Sequence, residues 1–400
     1  MFPSLKSSKQ KNSIAERAVH DEVTKQRLKY KPYYHHFERQ VGTHIWLDGR
    51  EMILLSSNDY LGFNQNPVVI DAGKRGLSAW GSSSTGSRIA NGSRNYHRRL
   101  EQKLADFLGK EDCHVSAAGY LSCMSAIQAF IQRGDAIFAD KNIHSCLWAG
   151  IASTMGRVEK FSHNNPADFE KVLSYEDPKT PKMLVFEGVY SMEGHLAHAQ
   201  ELLQIASENN CFSVMDDAHG FGVLGEQGRG TANHLDLKDE IDIICGSLSK
   251  AMASTGGFVA GDKVLIEHLR SHSKQTIFSA AISPSQAYCA EAAIDLLQNE
   301  PEHLERLWSN TRRYNAILND LGLDTWDSET PAIPVVIGDK VKAYRFWQEL
   351  MKEGIFTTVS MPPAVPPKKD LIRTAISAAH TDEDIDKIAD AFAKVTRRVL

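Results

Sequence analysis

No stretch of this sequence approaches the roughly 20 consecutive apolar residues that a membrane-spanning helix needs. Its first thirty residues are polar and lysine-rich with no apolar segment, which excludes a secretory signal peptide. There is no basic excess. Lys and Arg number 45 against 50 Asp and Glu, a formal net charge of −5, so the footprint of a nucleic-acid binder is missing. Cysteine is sparse, with six in 400 residues and no C-x-x-C pair. Several of the six lie in apolar runs, so we expect reduced, buried thiols in a cytosolic enzyme. No Cys/His cluster has zinc-ligand spacing. His195 and His198 form an i,i+3 pair without a third ligand and read as surface residues. Asn91-Gly92-Ser93 fits the glycosylation pattern, but in a cytosolic chain it is a chance match or a turn. Internal repeats and low-complexity segments are absent as well.

What is there suffices for a sizeable core, since 42% of residues are apolar and 24% charged. Residues 1–45 read as an arm. A helix is expected from Ser13 to about Leu28, opened by a capping box of Ser13 and Glu16. The basic-aromatic stretch Lys29 to Phe37 follows it, and this arm could lie on a partner subunit or a membrane surface.

Residues 46–285 form the expected large domain. Short apolar runs predict strands at Cys113–Ser116, Ala136–Ala139, Val158–Phe161, Met183–Phe186, Phe212–Met215, Ile241–Cys245 and Phe258–Ala260. Helices are expected between them at Tyr96–Leu108, Tyr120–Ile131, Pro166–Leu173 and Glu201–Glu208. That alternation implies an α/β fold with a mostly parallel sheet covered on both faces. Residues 286–400 read as a smaller α+β domain. Linking helices at Pro284–Asn299 and Pro301–Leu321 lead into it. Its expected elements are strand Ile333–Ile337, helix Val341–Lys352, strands Phe356–Val359 and Leu371–Ile376, and helix Asp382–Val399. Thr381 is the N-cap of that last helix, with Asp384 at the capping-box position.

Four segments carry chemistry. In G-S-L-S-K-A-M-A-S-T-G-G-F (Gly246–Phe258), Lys250 stands just past a buried strand among small residues. Small residues let a planar ligand approach the backbone. Ser247 and Ser249 can donate to a phosphate, and a lysine of lowered pKa can form an imine or act as a base. In V-M-D-D-A-H-G-F-G (Val214–Gly222), Asp216 precedes Lys250 by 34 residues, about one helix-plus-strand unit. The two groups would therefore meet at the carboxyl edge of one sheet. Asp216 suits the acid partner of a pyridinium nitrogen, while Asp217 reads as a cap or an ion-pair partner. At A-A-G-Y-L-S (Ala117–Ser122), Gly119 and Tyr120 open a helix whose free N–H groups can hold a phosphate. His144, in D-K-N-I-H-S, follows another strand and could stack on a ring, or be merely structural.

Together these segments resemble one family, the α-oxoamine synthases, which are fold-type-I pyridoxal-phosphate (PLP) enzymes. The resemblance runs from about residue 40 to the C-terminus. It includes S-N-D-Y-L-G (Ser57–Gly62), G-S-R-I-A-N-G (Gly86–Gly92), E-G-V-Y-S-M-E-G (Glu187–Gly194) and P-P-A-V-P (Pro362–Pro366). Within the family it is similar to the bacterial, soluble branch that uses L-serine and palmitoyl-CoA. The similarity rests on N-E-P-E-H-L-E-R-L-W-S-N-T (Asn299–Thr311), P-P-A-V-P and L-I-R-T-A-I-S-A-A-H-T (Leu371–Thr381).

The resemblance implies a large PLP-binding domain with a seven-stranded sheet and a homodimer with shared sites. Lys250 would hold PLP as a Schiff base and serve as the acid/base at Cα. Asp216 would meet the pyridine nitrogen, His219 the ring hydroxyl, and His144 the ring face. Gly119, Tyr120, Ser247 and Ser249 would border the phosphate, and Ser279 would reach the phosphate of the other subunit's cofactor. Arg373, with Asn58 and Tyr60, would bind the amino acid, its guanidinium taking the carboxylate.

The implied reaction is a decarboxylative condensation of L-serine with palmitoyl-CoA, giving 3-ketodihydrosphingosine, CoA and CO₂. That is the first step of sphingolipid synthesis, in the cytoplasm or peripherally at the inner membrane. The alternatives are a sister synthase using glycine or alanine, another fold-type-I activity such as an aminotransferase, and a non-catalytic partner subunit. Lys250 argues against the last. Three positions depart from the family pattern. Met361 stands where some relatives have arginine, His195-Leu196-Ala197-His198 replaces the usual D-I-A-P, and Ser247 replaces threonine.

Overall fold

The structure, a computed structural model, describes residues 16, 17, 22, 23, 25, 26 and 31–400. The six early residues are helical. The capping box expected at Ser13 lies outside the described residues.

The strands, in chain order, are β1 (Arg39–Val41), β2 (His44–Leu47), β3 (Arg50–Leu54), β4 (Asp112–Ser116), β5 (Ala136–Asp140), β6 (Arg157–Phe161), β7 (Lys182–Glu187), β8 (Cys211–Asp216), β9 (Ile243–Ser247), β10 (Gly257–Gly261), β11 (Ala332–Val336), β12 (Ile355–Phe356), β13 (Thr358–Ser360) and β14 (Leu371–Ala375). Seven of them form the central sheet, in the order β4-β10-β9-β8-β7-β5-β6. β10 is antiparallel to both neighbours, and the remaining pairs are parallel. All seven strands expected from the apolar runs are present.

Side chains alternate across this sheet, as the pleat requires. Phe138, Leu184, Phe186, Met215 and Phe258 feed the core on one face. Ile137, Met183, Val185, Val214 and Val259 feed the core on the other. Helices cover both faces, and several start where a side chain caps them. Asn165 accepts from the Asp168 N–H to open Pro166–Leu173, and Ser283 accepts from Gln286 to open Pro284–Asn299.

The C-terminal region holds the antiparallel sheet β11-β14-β13 with the helices Lys340–Lys352 and Asp382–Val399. The capping box at Thr381 is present. Thr381 Oγ1 accepts from the Asp384 N–H at 3.1 Å, and the Asp384 carboxylate accepts from the Thr381 N–H at 2.9 Å. One expectation is corrected. Phe356–Val359 is not a single strand, because the chain changes sheets at Thr357. β12 joins β3 in parallel and β13 joins β14. The segment β1–β3 is thereby tied to the C-terminal region. Ala375 N–H donates to the Leu55 carbonyl, and Ala378 N–H to that of Tyr60. Those bonds bring S-N-D-Y-L-G beside Arg373.

Candidate active site

The site lies past the carboxyl ends of the parallel strands, where open α/β sheets place their ligands. Gly119 follows β4, His144 follows β5, Ser191 follows β7, Asp216 ends β8, and Ser247 ends β9 with Lys250 just beyond. Register aligns three of these ends, since Asp216 pairs with Glu187 on one side and with Cys245 on the other.

Asp216 is buried and accepts the Ala218 N–H at Oδ1, at 3.0 Å. Its other oxygen accepts the Cys123 thiol at 3.2 Å, and the Cys146 sulfur lies 3.7 Å away. His144 accepts the Cys146 N–H at Nδ1 (3.2 Å), with the Cys146 sulfur 2.9 Å from the same nitrogen. A nitrogen that accepts a backbone N–H carries no proton, so Nε2 is the protonated position. The Tyr120 ring meets His144 edge-on, with centroids 6.4 Å apart.

His219 is buried, and its Nδ1 is 2.7 Å from the Tyr60 hydroxyl. Burial drives the His219 pKa well below the usual histidine value, and the cations of Lys250 and Arg373 push it the same way. The imidazole is therefore neutral. Burial raises the Tyr60 pKa against the pull of Arg373, so the phenol keeps its proton. When that proton is donated to Nδ1, Nε2–H of His219 is left as a donor.

His144 is exposed at the open side of the site. The protein packed around it lowers its pKa, Asp216 opposes this, and Lys250 and Arg373 add to the lowering. The same two cations thus act on both histidines, so Lys250, Arg373, His144 and His219 gather near one another at this end of the sheet. Arg373 is held on β14 by two bonds, from Nη2 to Asn58 Oδ1 at 3.0 Å and from Nε to the Ser191 carbonyl at 3.2 Å.

The helix that begins at Gly119 meets Ser247, which in turn meets Ser249. The helix Gly119–Gln128 has no side-chain cap, and the N–H groups of Gly119 and Tyr120 bond to no described residue. The helix start presses on β9. A Cβ at Gly119 would lie 2.7 Å from Cβ of Ser247 and 3.1 Å from its Cα. Ser247 and Ser249 hydroxyls are 2.6 Å apart. Free helix N–H groups, two hydroxyls, an amine and a buried carboxylate across from them fit PLP. Ser279 is not brought to these groups within the chain.

Several residues were missed or misread from sequence. Glu187 and Glu193, both buried, support the loop before His144. Glu187 accepts the His144 N–H, and Glu193 accepts from Asn142 at 2.7 Å. Burial first, then Asp216, raises the Glu187 pKa well above the carboxylate range. The signal was two acids inside E-G-V-Y-S-M-E-G, one at the end of an apolar run. Cys123, Cys146 and Cys245 gather at Asp216 from distant positions, with no spacing to announce it. All six cysteines are free and buried, as expected. His195 is corrected. It is not a plain surface residue but half-buried, 3.0 Å from His163 and 2.6 Å from the Trp326 carbonyl. His198 is exposed. Asp217 caps rather than pairs with a cation, since both its oxygens accept from Thr231 at the start of a short helix. Burial pushes its pKa up to about 7.

The aminotransferase class I and II family model matches residues 50–392. Serine palmitoyltransferase of Sphingobacterium spiritivorum is 34% identical over 391 residues, 97% of this chain and 98% of that protein. The 8-amino-7-oxononanoate synthase of Symbiobacterium thermophilum is 38% identical over 354 residues, 88% and 90% of the two chains. Among solved structures, Sphingomonas wittichii serine palmitoyltransferase superposes with a TM-score of 0.94 at 30% identity, covering 97% of this chain and 98% of that one. A serine palmitoyltransferase solved with PLP gives 0.94 at 29% identity, covering 97% and 99%. The chain belongs to the aminotransferase class I and II family and, within it, to the PLP-dependent acyltransferases known as α-oxoamine synthases.

Proposed function

We propose that this enzyme is a serine palmitoyltransferase, condensing L-serine with a long-chain acyl-CoA, palmitoyl-CoA by preference, with loss of CO₂. The observation that carries the reading is Arg373. It is a guanidinium fixed by Asn58 and the Ser191 carbonyl, and with Lys250 it acts on both His144 and His219. A planar cation there suits the carboxylate of an amino acid. Whole-length likeness to serine palmitoyltransferases supports the choice of serine.

PLP, when bound, supplies the electron sink that lets a Cα–H bond and later a carboxylate bond break. Lys250 holds the cofactor and moves the proton at Cα. Asp216, fixed by the Ala218 N–H and the Cys123 thiol, would face the ring nitrogen. His219 donates from Nε2–H to the ring hydroxyl. His144 covers the open side with its protonated Nε2 turned from Cys146. Gly119, Tyr120, Ser247 and Ser249 anchor the phosphate. Arg373 orients the amino acid until its carboxylate leaves as CO₂.

A sister reading uses alanine or glycine, and the 38% identity to an 8-amino-7-oxononanoate synthase favours it. A spectral titration separates the two. A tight absorbance change with L-serine supports our reading, and a preference for alanine or glycine overturns it.

The working unit on this reading is a homodimer with Ser279 reaching the partner's site. In support, Phe278 is 82% and Ile89 59% exposed, flanking the bridge between Ser87 and Ala280. Among the described residues no helix is long and apolar enough to cross a membrane. We assign the enzyme to the cytoplasm, its six free cysteines in support. Peripheral membrane contact through the exposed Tyr34 of the arm would deliver the long-chain product. Vesicle co-sedimentation tests it.

A further inference from the structure

Three of the six cysteines converge on one carboxylate. Cys123 Sγ, Cys245 Sγ and a carboxylate oxygen of Asp216 all lie within 4.8 Å of one another, and all three residues are buried. The Cys123 sulfur is 3.2 Å and the Cys146 sulfur 3.7 Å from the same Asp216 oxygen. The residues come from the helix Gly119–Gln128, the helix Ser145–Ala152, β8 and β9, so a regular element holds each donor.

These separations have a meaning. Bonds of about 2.3 Å to sulfur and about 2.0 Å to oxygen put the corners of a tetrahedron ~3.5 Å apart. Thiolate donors with one carboxylate select soft or borderline ions over Mg²⁺ or Ca²⁺.

We propose that Cys123, Cys245 and Asp216, with Cys146 as fourth donor, form a site for one thiophilic divalent cation of the Zn²⁺ or Cd²⁺ class. Each ligating thiol gives up its proton to solvent as its sulfur bonds to the ion. The ion then holds the carboxylate that serves the cofactor ring, so ion and cofactor compete. This competition rests on the assignment of Asp216 to PLP, whereas ion binding itself does not. Soft-metal poisoning of the enzyme follows from the same geometry.

The test is titration of the full-length, cofactor-loaded protein and its cofactor-stripped form with CdCl₂, with no amino acid present. Thiolate-to-cadmium ultraviolet absorbance, retained cadmium after desalting and cofactor in the filtrate are the readouts. One cadmium per chain is expected, with the charge-transfer band, cofactor release and weaker binding when PLP is in excess. Cys123→Ser and Cys245→Ser should each weaken cadmium binding at least tenfold, while Cys211→Ser and Cys289→Ser leave it unchanged. Near-ultraviolet circular dichroism checks that each variant is folded, and Cys146→Ser replaces any that is not. Absence of the band, cadmium binding that survives the double Cys123→Ser/Cys245→Ser change, or loss on Cys211→Ser overturns the site. Cadmium binding indifferent to PLP overturns the competition. Failure of either leaves the choice of serine untouched, since no substrate enters the experiment.

Discussion

Arg373 Nη2 donates to Asn58 Oδ1 at 3.0 Å, joining a C-terminal strand to the loop after β3 across 315 residues of chain. The second bond, to the Ser191 carbonyl, leaves the guanidinium with little freedom to turn. A carboxylate arriving in the cavity meets a cation already oriented, and the cost of ordering it is met in folding.

Arg373→Ala should lower kcat/KM for the amino acid by roughly 30-fold or more, equal to ~2 kcal/mol for a charge-assisted bond. Arg373→Lys should recover only part, because an ammonium lacks the fork. Asn58→Ala should cost less, since it orients the arginine without touching the substrate. Steady-state rates with varied serine check the order, and equal losses in all three would contradict it.

Lys250→Ala should give a colourless or weakly coloured protein whose cofactor washes out, with activity down at least 10²-fold by loss of the proton-transfer group. Absorbance after dialysis and after borohydride treatment reads the tether directly. Wild-type protein should stay labelled, and the variant should not.

Tyr60→Phe removes the donor that fixes His219 in its Nε2–H form, and the vacated buried Nδ1 costs about 1–3 kcal/mol. We expect kcat to fall several-fold and the cofactor's absorbance-versus-pH curve to move. An unchanged curve would mean that Tyr60 is only packing.

Gly119→Ala places a methyl 2.7 Å from Ser247 Cβ and 3.1 Å from its Cα, close to backbone that cannot yield. The helix start must shift from β9, at ~1–3 kcal/mol of stability. PLP affinity, measured by equilibrium dialysis, should drop about tenfold.

His380 gives a pH signature unrelated to catalysis. It is buried, takes the Ser377 N–H on Nδ1 at 2.9 Å and faces the Leu54 carbonyl with Nε2 at 3.2 Å. Burial pushes its pKa down to about 4. The unfolded chain takes up this proton near pH 6.5, so stability held above that pH is lost as pH falls toward 4. The loss is ~3 kcal/mol. His380→Asn should be less stable at pH 7.5 yet lose less between 6.5 and 4. Urea melts across that window check it, and parallel curves for the two proteins would contradict it.

Six strands of the central sheet could be read in advance because each is a short, largely apolar run buried on both faces, whereas the edge strand β6 is exposed at four of its five residues and showed only as Val158 and Phe161. The helix Pro67–Trp80 could not, although Asn66 and Pro67 are good start signals. Gly73 and Gly76 in its middle look like breakers. Their purpose is tertiary. A Cβ at Gly76 would strike the Pro284 carbonyl oxygen at 2.6 Å, and one at Gly73 the Cys289 sulfur at 2.7 Å, so the bare backbone lets two helices touch. The change of sheet at Thr357 was hidden for a similar reason, since one apolar run serves two partners. In the site, Lys250, Asp216 and His144 stood out because each lies at or just past the end of a buried strand, whereas His219 was named by the family resemblance. The thiols about Asp216 did not, for their proximity exists only once three elements pack. His195 misled because its partners, His163 and the Trp326 carbonyl, are remote in sequence.

The measurement that bears most directly on the choice of substrate is product analysis by mass spectrometry with palmitoyl-CoA and L-serine, L-alanine, glycine or L-threonine in parallel. The account predicts CoA release and a 3-ketodihydrosphingosine product with serine, at a kcat/KM at least tenfold above the other amino acids. Turnover of alanine or glycine in preference to serine, or release of no CoA with serine, would contradict it.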